Sequence, residues 1–189
     1  MKTTTGLEGQ TDEELMLAYA SGSVEAFDQI FARHGRKVYN LFLRTFGNQE
    51  LARDLSQETW VRLIEARDRF RPVRSFSSWL YTIVMNLLRD ELRRRRRRSD
   101  LEKLSVNSGQ LAVVENFSVE KESEMADLKA QVQAAVQSLP EEQREVILLA
   151  KYQGLSYAEV AATLGISEAA AKQRAYRALQ ALRNKLGEL

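Results

Sequence analysis

Gln173 and Arg177 are residue types that read bases through the major groove. A glutamine amide pairs with adenine and an arginine guanidinium with guanine, each worth about 1–3 kcal/mol of discrimination. They stand four apart and so share a helix face. Lys172, Arg174, Arg183 and Lys185 surround them, and Glu168 is the one acid in residues 167–185, a balance suited to phosphates. A second set is the unbroken arginine run of residues 93–98, which covers every face of a helix and cannot be core. Its chemistry is phosphate contact. A third is Phe70-Arg71-Pro72-Val73-Arg74-Ser75-Phe76-Ser77-Ser78-Trp79. Rings interleaved with cations and serines are what single-stranded nucleic acid needs: faces for stacking and charge for the backbone. Within this loop, Phe76 and Trp79 read as core, leaving the polar residues to meet bases.

Catalysis is poorly supplied. The chain has 189 residues, 0 Cys and 1 His. That excludes disulfides and Cys/His metal clusters. His34 reads as a surface or boundary residue of its helix, and the carboxylates make no metal-binding constellation. None of the 9 glycines precedes a lysine or pairs as G-x-G, so neither a phosphate-binding loop nor a dinucleotide fingerprint is present. The sequence therefore predicts no enzyme, no metal, no cofactor and no small-molecule substrate. Hydrophobic residues at 44% and charged residues at 29% describe a globular chain. The longest bulky apolar run is Val146-Ile147-Leu148-Leu149, too short to span a membrane. Residues 1–10 lack the apolar core of an export signal, so a cytoplasmic location is expected.

The elements that must position these residues are all helical. Thr11-Asp12-Glu13-Glu14 is a capping box, and Gly22-Ser23 ends one helix and starts another. Val24, Phe27, Ile30 and Phe31 share a face, which Val38, Leu41 and Phe42 continue after Gly35. Leu51, Leu55, Trp60 and Leu63 make a further helix that stops near Pro72. Residues 75–98 make another, ending in the arginines. Composition then changes: residues 99–128 hold seven acids against two lysines. Residues 99–118 read as an acidic, flexible linker. Helical spacing returns at Met125, Leu128, Val132, Val136 and Leu139. Pro140 with Glu141 and Glu142 starts a helix that Gly154 closes. Ser156-Tyr157-Ala158-Glu159 is a second capping box, Gly165 a tight turn, and Ser167 the cap of a last helix. Plotted at about 100° per residue, that helix gathers Ala171, Ala175, Ala178, Leu179, Leu182 and Leu186 into one stripe, with Gln173 and Arg177 opposite. Helix, glycine turn and longer helix make a helix-turn-helix. The expected fold is all-α: two small helical domains joined by a flexible linker, with boundaries at 1–10 (disordered), 11–98, 99–118 and 119–189.

Two sets of residues carry a resemblance. One is Asp54-Leu55-Ser56-Gln57-Glu58-Thr59-Trp60 followed by Ser75-Phe76-Ser77-Ser78-Trp79-Leu80-Tyr81, Asn86, Asp90 and the arginine run. The other is Leu139-Pro140-Glu141-Glu142-Gln143-Arg144, Gly154-Leu155-Ser156-Tyr157-Ala158-Glu159-Val160-Ala161 and Lys172-Gln173-Arg174-Ala175-Tyr176-Arg177-Ala178-Leu179. Together they resemble the extracytoplasmic-function (ECF) group of bacterial sigma factors. The resemblance implies core RNA polymerase and promoter DNA as partners, and an anti-sigma factor as a third. It implies a polymerase-facing patch of Asp54, Gln57, Glu58 and Arg62, of which 54, 58 and 62 fall on one helix face. Phe70, Arg71, Arg74, Ser75, Asn86, Arg89 and Arg93 would hold an unpaired base of the minus-ten element. Lys172, Gln173, Arg174, Tyr176 and Arg177 would read the minus-thirty-five duplex. Ala169-Ala170-Ala171 stands where the family often has Gly-Thr-Val, and Gln173 where Ser is usual. Those departures bear on which upstream sequence is read. The competing expectation is a helix-turn-helix regulator with a helical sensor domain and no polymerase-docking role.

Overall fold

The computed structural model describes residues 9–105 and 124–187. The expected disordered segment 1–10 therefore lies almost wholly outside the described residues, as do 106–118 of the expected linker. Helix α1 (Asp12–Ala20) starts where the Thr11 hydroxyl accepts from the Glu14 amide and the Glu14 carboxylate accepts from the Thr11 amide, at 3.2 and 2.8 Å. Helix α2 (Val24–Phe46) is capped by Ser23 and buries Ala26, Ile30, His34, Val38, Leu41 and Phe42 along one stripe. It runs unbroken through Gly35, against which the Phe31 ring packs. Gly47 ends it in the left-handed region at φ 67°, donating to the Leu43 carbonyl. Asn48 then caps α3 (Gln49–Glu65). A 3-10 turn (Arg67–Arg69) and the aromatic loop lead into α4 (Phe76–Ser105).

Helices α1 to α4 enclose the first core. Leu15, Met16, Ile30, Phe42, Leu63, Phe76, Leu80 and Met85 are fully buried in it. At about 25 cal/mol per Å² of apolar surface removed from water, such side chains dominate the stability of the unit. Helix α4 continues past the arginines, so residues 99–105 are helical. The expected linker boundary at 99 is corrected to a later position, because nothing in 99–105 breaks a helix already nucleated by α4.

The C-terminal unit comprises α5 (Glu124–Gln137), α6 (Glu141–Ile147), a π-helical turn (Leu148–Tyr152), α7 (Tyr157–Leu164) and α8 (Glu168–Gly187). The sequence expectation of one helix up to Gly154 missed that π turn. Gly154 at φ 77° follows it, and Leu155 donates back to the Leu149 carbonyl. Ser156 and Glu159 form the expected capping box of α7. Gly165 at φ 69° makes the turn, and the Ser167 hydroxyl accepts from the Ala170 amide to begin α8. Val136, Leu139, Ile147 and Ala178 make a small core within this unit. The larger core is continuous between the units: Leu149, Leu155, Val160 and Ala161 join Tyr81, Val84 and Leu88 of α4. Helix α4 packs directly on α7.

Candidate nucleic-acid and polymerase interfaces

Helix α3 turns Ala52, Leu55, Ser56, Thr59, Trp60 and Leu63 inward. That leaves Asp54 and Gln57 exposed, with Glu58 and Arg62 half-buried beside them. Glu58 and Arg62 bond at 2.8 Å, one helical turn apart. The four residues expected to dock polymerase thus form one polar stripe with an internal ion pair.

The aromatic loop divides as its chemistry demands. Phe70 is only 3% exposed and packs edge-on against Phe76 and Trp79 at 6.2 and 5.2 Å. Its ring cannot meet a base there, so its expected minus-ten contact is corrected to support of the loop from beneath. Arg71 and Arg74 are exposed. Arg71 donates to the carbonyls of Asp68 and Phe70 at 2.8 and 2.9 Å, which stiffens the turn. Asn86 is exposed one helical turn beyond Thr82. Phe76 is fully buried, as its sequence context suggested.

The arginine arm is less free than the sequence suggested. Arg93 pairs with Asp90, and both Arg94 and Arg95 pair with Glu91. Arg95 also lies over the Phe46 ring at 4.8 Å. Arg96 reaches across to Glu141 of α6 at 2.7 Å. Nearer the loop, Arg89 makes a two-pronged bond to Glu145, Nε to Oε1 at 2.6 Å and Nη2 to Oε2 at 2.9 Å. That bond raises the Arg89 pKa despite partial burial. Ser75 donates to Glu159 at 2.9 Å, and the Tyr81 hydroxyl donates to Gln153 at 2.8 Å. Burial pushes the Tyr81 phenol up, so it stays a donor. Burial also acts to raise the Glu159 carboxyl, but hydrogen bonds from Ser156 and Ser75 offset it and hold the group below its ordinary value.

On α8 the small stripe of Ala171, Ala175 and Ala178 is buried, while Lys172, Gln173, Tyr176 and Arg177 are exposed. Arg174 is half-buried and bonds Glu142 at 2.9 Å, so it also ties α8 to the start of α6. Leu179 was expected in the inward stripe but is 42% exposed, because the stripe drifts as α8 leaves its packing partners. Sequence reading missed Glu141, Glu145 and Glu159 as partners of Arg96, Arg89 and Ser75. The available signal was an acid at position 145, immediately before the apolar run Val146-Ile147-Leu148-Leu149. His34 is a further correction: it is 5% exposed, because Asp12 from α1 bonds its Nε2 at 2.6 Å and thereby stabilises it in the core. Among the described residues no cluster of three or more His, Cys, Asp or Glu could hold a metal. Among them, too, no helix is long and apolar enough to cross a membrane.

A helical unit with an exposed polar stripe on α3 packs against a helix-turn-helix whose outward face is basic. Residues 30–98 match sigma-70 region 2, and residues 129–182 match sigma-70 region 4. The chain is 34% identical to RNA polymerase sigma factor CarQ of Myxococcus xanthus, over 92% of this chain and 97% of the relative. It is 32% identical to ECF RNA polymerase sigma factor SigM of Mycobacterium tuberculosis, over 97% and 89% of the two chains. The solved structure of CnrH in complex with the cytosolic domain of CnrY matches with a TM-score of 0.71 at 30% identity, over 95% of this chain and 99% of that one. The chain belongs to the ECF-type RNA polymerase sigma factors, with sigma-70 regions 2 and 4. It directs promoter recognition by RNA polymerase and is not an enzyme. The reading as a regulator without a polymerase role gives way to the region 2 match.

Proposed function

We propose that the three surfaces divide the work of initiation. Asp54, Gln57, Glu58 and Arg62 dock the N-terminal unit on core polymerase. Arg71, Arg74, Ser75, Asn86, Arg89 and Arg93, supported by Phe70, form the surface that holds an unpaired base of the minus-ten element. Lys172, Gln173, Arg174, Tyr176 and Arg177 read the minus-thirty-five duplex, with Arg174 also fixing the helix through Glu142. The observation that carries this reading is the exposed row of Lys172, Gln173, Tyr176 and Arg177 over a buried alanine stripe that follows a left-handed Gly165 turn. Small inward residues let α8 seat tightly, and its outward face is left to the groove. The protein acts in the cytoplasm, where its polymerase is, and an anti-sigma factor holds it in check.

No nucleotide fuel is needed for base capture. Flipping one base costs a few kcal/mol, and each unstacked step about 1.4 kcal/mol. Asn86, exposed on α4, is assigned the hydrogen bond to the captured base. A lost hydrogen bond of about 1 kcal/mol predicts roughly fivefold slower open-complex formation for Asn86→Ala, with initial duplex binding unchanged. Permanganate footprinting and filter binding, on a promoter that the reconstituted holoenzyme transcribes, measure the two steps separately. Equal loss in both would remove the assigned role.

A further inference from the structure

The first turn of α1 carries three consecutive carboxylates, and each has a different partner. Glu14 accepts from the Thr11 amide at 2.8 Å and so caps its own helix. Asp12 bonds His34, whose ring lies 5.3 Å from that of Phe76. Glu13 crosses to α4 and accepts from the Phe76 backbone amide at 2.6 Å, 63 residues along the chain. The first amides of a helix have no partner within it. At the start of α4, Ser75 Oγ accepts from the Ser78 amide at 3.2 Å, and the Phe76 amide is left to Glu13. Phe76 is fully buried, and a buried amide without a partner is costly. A negative group also suits the positive end of α4. The consequence falls on the aromatic loop. Its upstream end is held by the Phe70 ring, packed edge-on against Phe76 and Trp79. Arg71, Pro72, Val73 and Arg74, between the two ends, are exposed. The direction in which Arg74 and Ser75 leave the core is therefore set at the peptide that joins Ser75 to Phe76, and Glu13 pins that peptide.

We propose that Glu13 is a positioning residue for base capture: from α1 it fixes the Ser75–Phe76 peptide, so that Arg74 and Ser75 are in place before an unpaired base arrives. It touches neither base nor phosphate and acts through the loop. The proposal deepens the minus-ten reading and rests on it. Glutamine at position 13 keeps an accepting oxygen in the same place, whereas alanine leaves the Phe76 amide unheld. Loosening that drops the ready arrangement to about one-tenth of the molecules would weaken capture about tenfold.

The test uses holoenzyme reconstituted from core polymerase and the full chain, on a promoter that it transcribes. The probe is a fluorescein-labelled single strand, the non-template one, covering the minus-ten element. Glu13→Ala should bind it about tenfold more weakly, and Glu13→Gln within about twofold of wild type. A duplex that ends upstream of the minus-ten element should bind wild type and both variants alike. Ile30→Val, which removes one buried methyl from the first core, controls for stability: it should lower the melting temperature without weakening strand binding. Coupling supplies a readout that general destabilisation does not move. On an Arg71→Ala/Arg74→Ala background, Glu13→Ala should cost less than about threefold more, because the guanidinium it positions is gone. In the free chain, the Phe76 amide should exchange with solvent faster in Glu13→Ala than in Glu13→Gln. Where Arg71→Ala/Arg74→Ala itself weakens strand binding, any of four results would overturn the positioning role and leave the minus-ten reading standing. These are unchanged strand binding in Glu13→Ala, Glu13→Gln as weak as Glu13→Ala, full additivity on the double-alanine background, and equal amide exchange in the two variants. If Arg71→Ala/Arg74→Ala costs nothing, the minus-ten reading falls and the role of Glu13 falls with it.

Discussion

Asp12 shows how much one carboxylate fixes in the N-terminal unit. It accepts from His34 Nε2 at 2.6 Å and from Arg33 Nη1 at 2.8 Å. The His34 bond is the largest influence on its acidity, partial burial opposes it, and Arg33 adds to it; together they lower the carboxyl from its ordinary 3.8 to about 2. The folded state therefore holds fewer protons than the unfolded chain between those values. The stabilisation is present in full above about pH 3.8 and is lost as pH falls toward 2. Asp12→Asn should remove that acid dependence and lower stability at pH 7 by about 1.5–3 kcal/mol, the range for hydrogen bonds to charged groups. Urea midpoints measured from pH 2 to 7 check both expectations. A variant whose midpoint still falls across that window would place the acid sensitivity elsewhere. The same contact explains why His34 is buried: a histidine on the apolar face of α2 is tolerated because Asp12, 22 residues earlier, supplies its partner. Nothing near position 34 in the sequence announces that.

At the scale of the elements, α2 carries an avoidable cost. Gly35 sits inside a helix, where glycine is about 1 kcal/mol worse than alanine. A Cβ added there would stand 3.4 Å from the half-exposed Phe31 ring, an ordinary contact that a small ring shift relieves. Gly35→Ala should therefore stabilise the protein by about 0.5–1 kcal/mol, read as a raised melting temperature. A lowered one would mean that the Phe31–Trp60 contact at 5.0 Å tolerates no shift. Elements with local signals were legible in the sequence. The capping boxes at Thr11 and Ser156, the Gly165 turn and the alanine stripe of α8 each depend on residues within a few positions. The π turn at Leu148–Tyr152 was not legible, because apolar periodicity cannot tell a wide turn from a regular one within a buried run. The exposed face of α8 could be read from spacing alone, whereas the polar stripe of α3 came from the resemblance, with helical spacing consistent with it. The burial of Phe70 could not, since it depends on Phe76 and Trp79 closing over it.

For the whole molecule, the strength of the contact between the two units must fall within limits. The units share apolar packing of α4 on α7 as well as the bonds from Arg89, Arg96, Ser75 and Tyr81. A partner that separated them could do so only by the difference in its affinity for the two arrangements. A connection as short as residues 106–123 holds the units at an effective concentration on the order of 1 mM. A closed-to-open ratio of about ten then corresponds to a dissociation constant near 0.1 mM for the severed halves. Placing a specific protease site within 106–123 and cutting it should therefore release two fragments that elute separately at about 1 μM, although the intact chain stays closed. Raising the fragments to about 1 mM should re-form the pair, and Glu145→Arg should prevent this. A single co-eluting species at 1 μM would mean that the interface is at least a hundredfold too tight for a closed-to-open ratio of about ten. The separation of function between the halves would then have to occur without their parting.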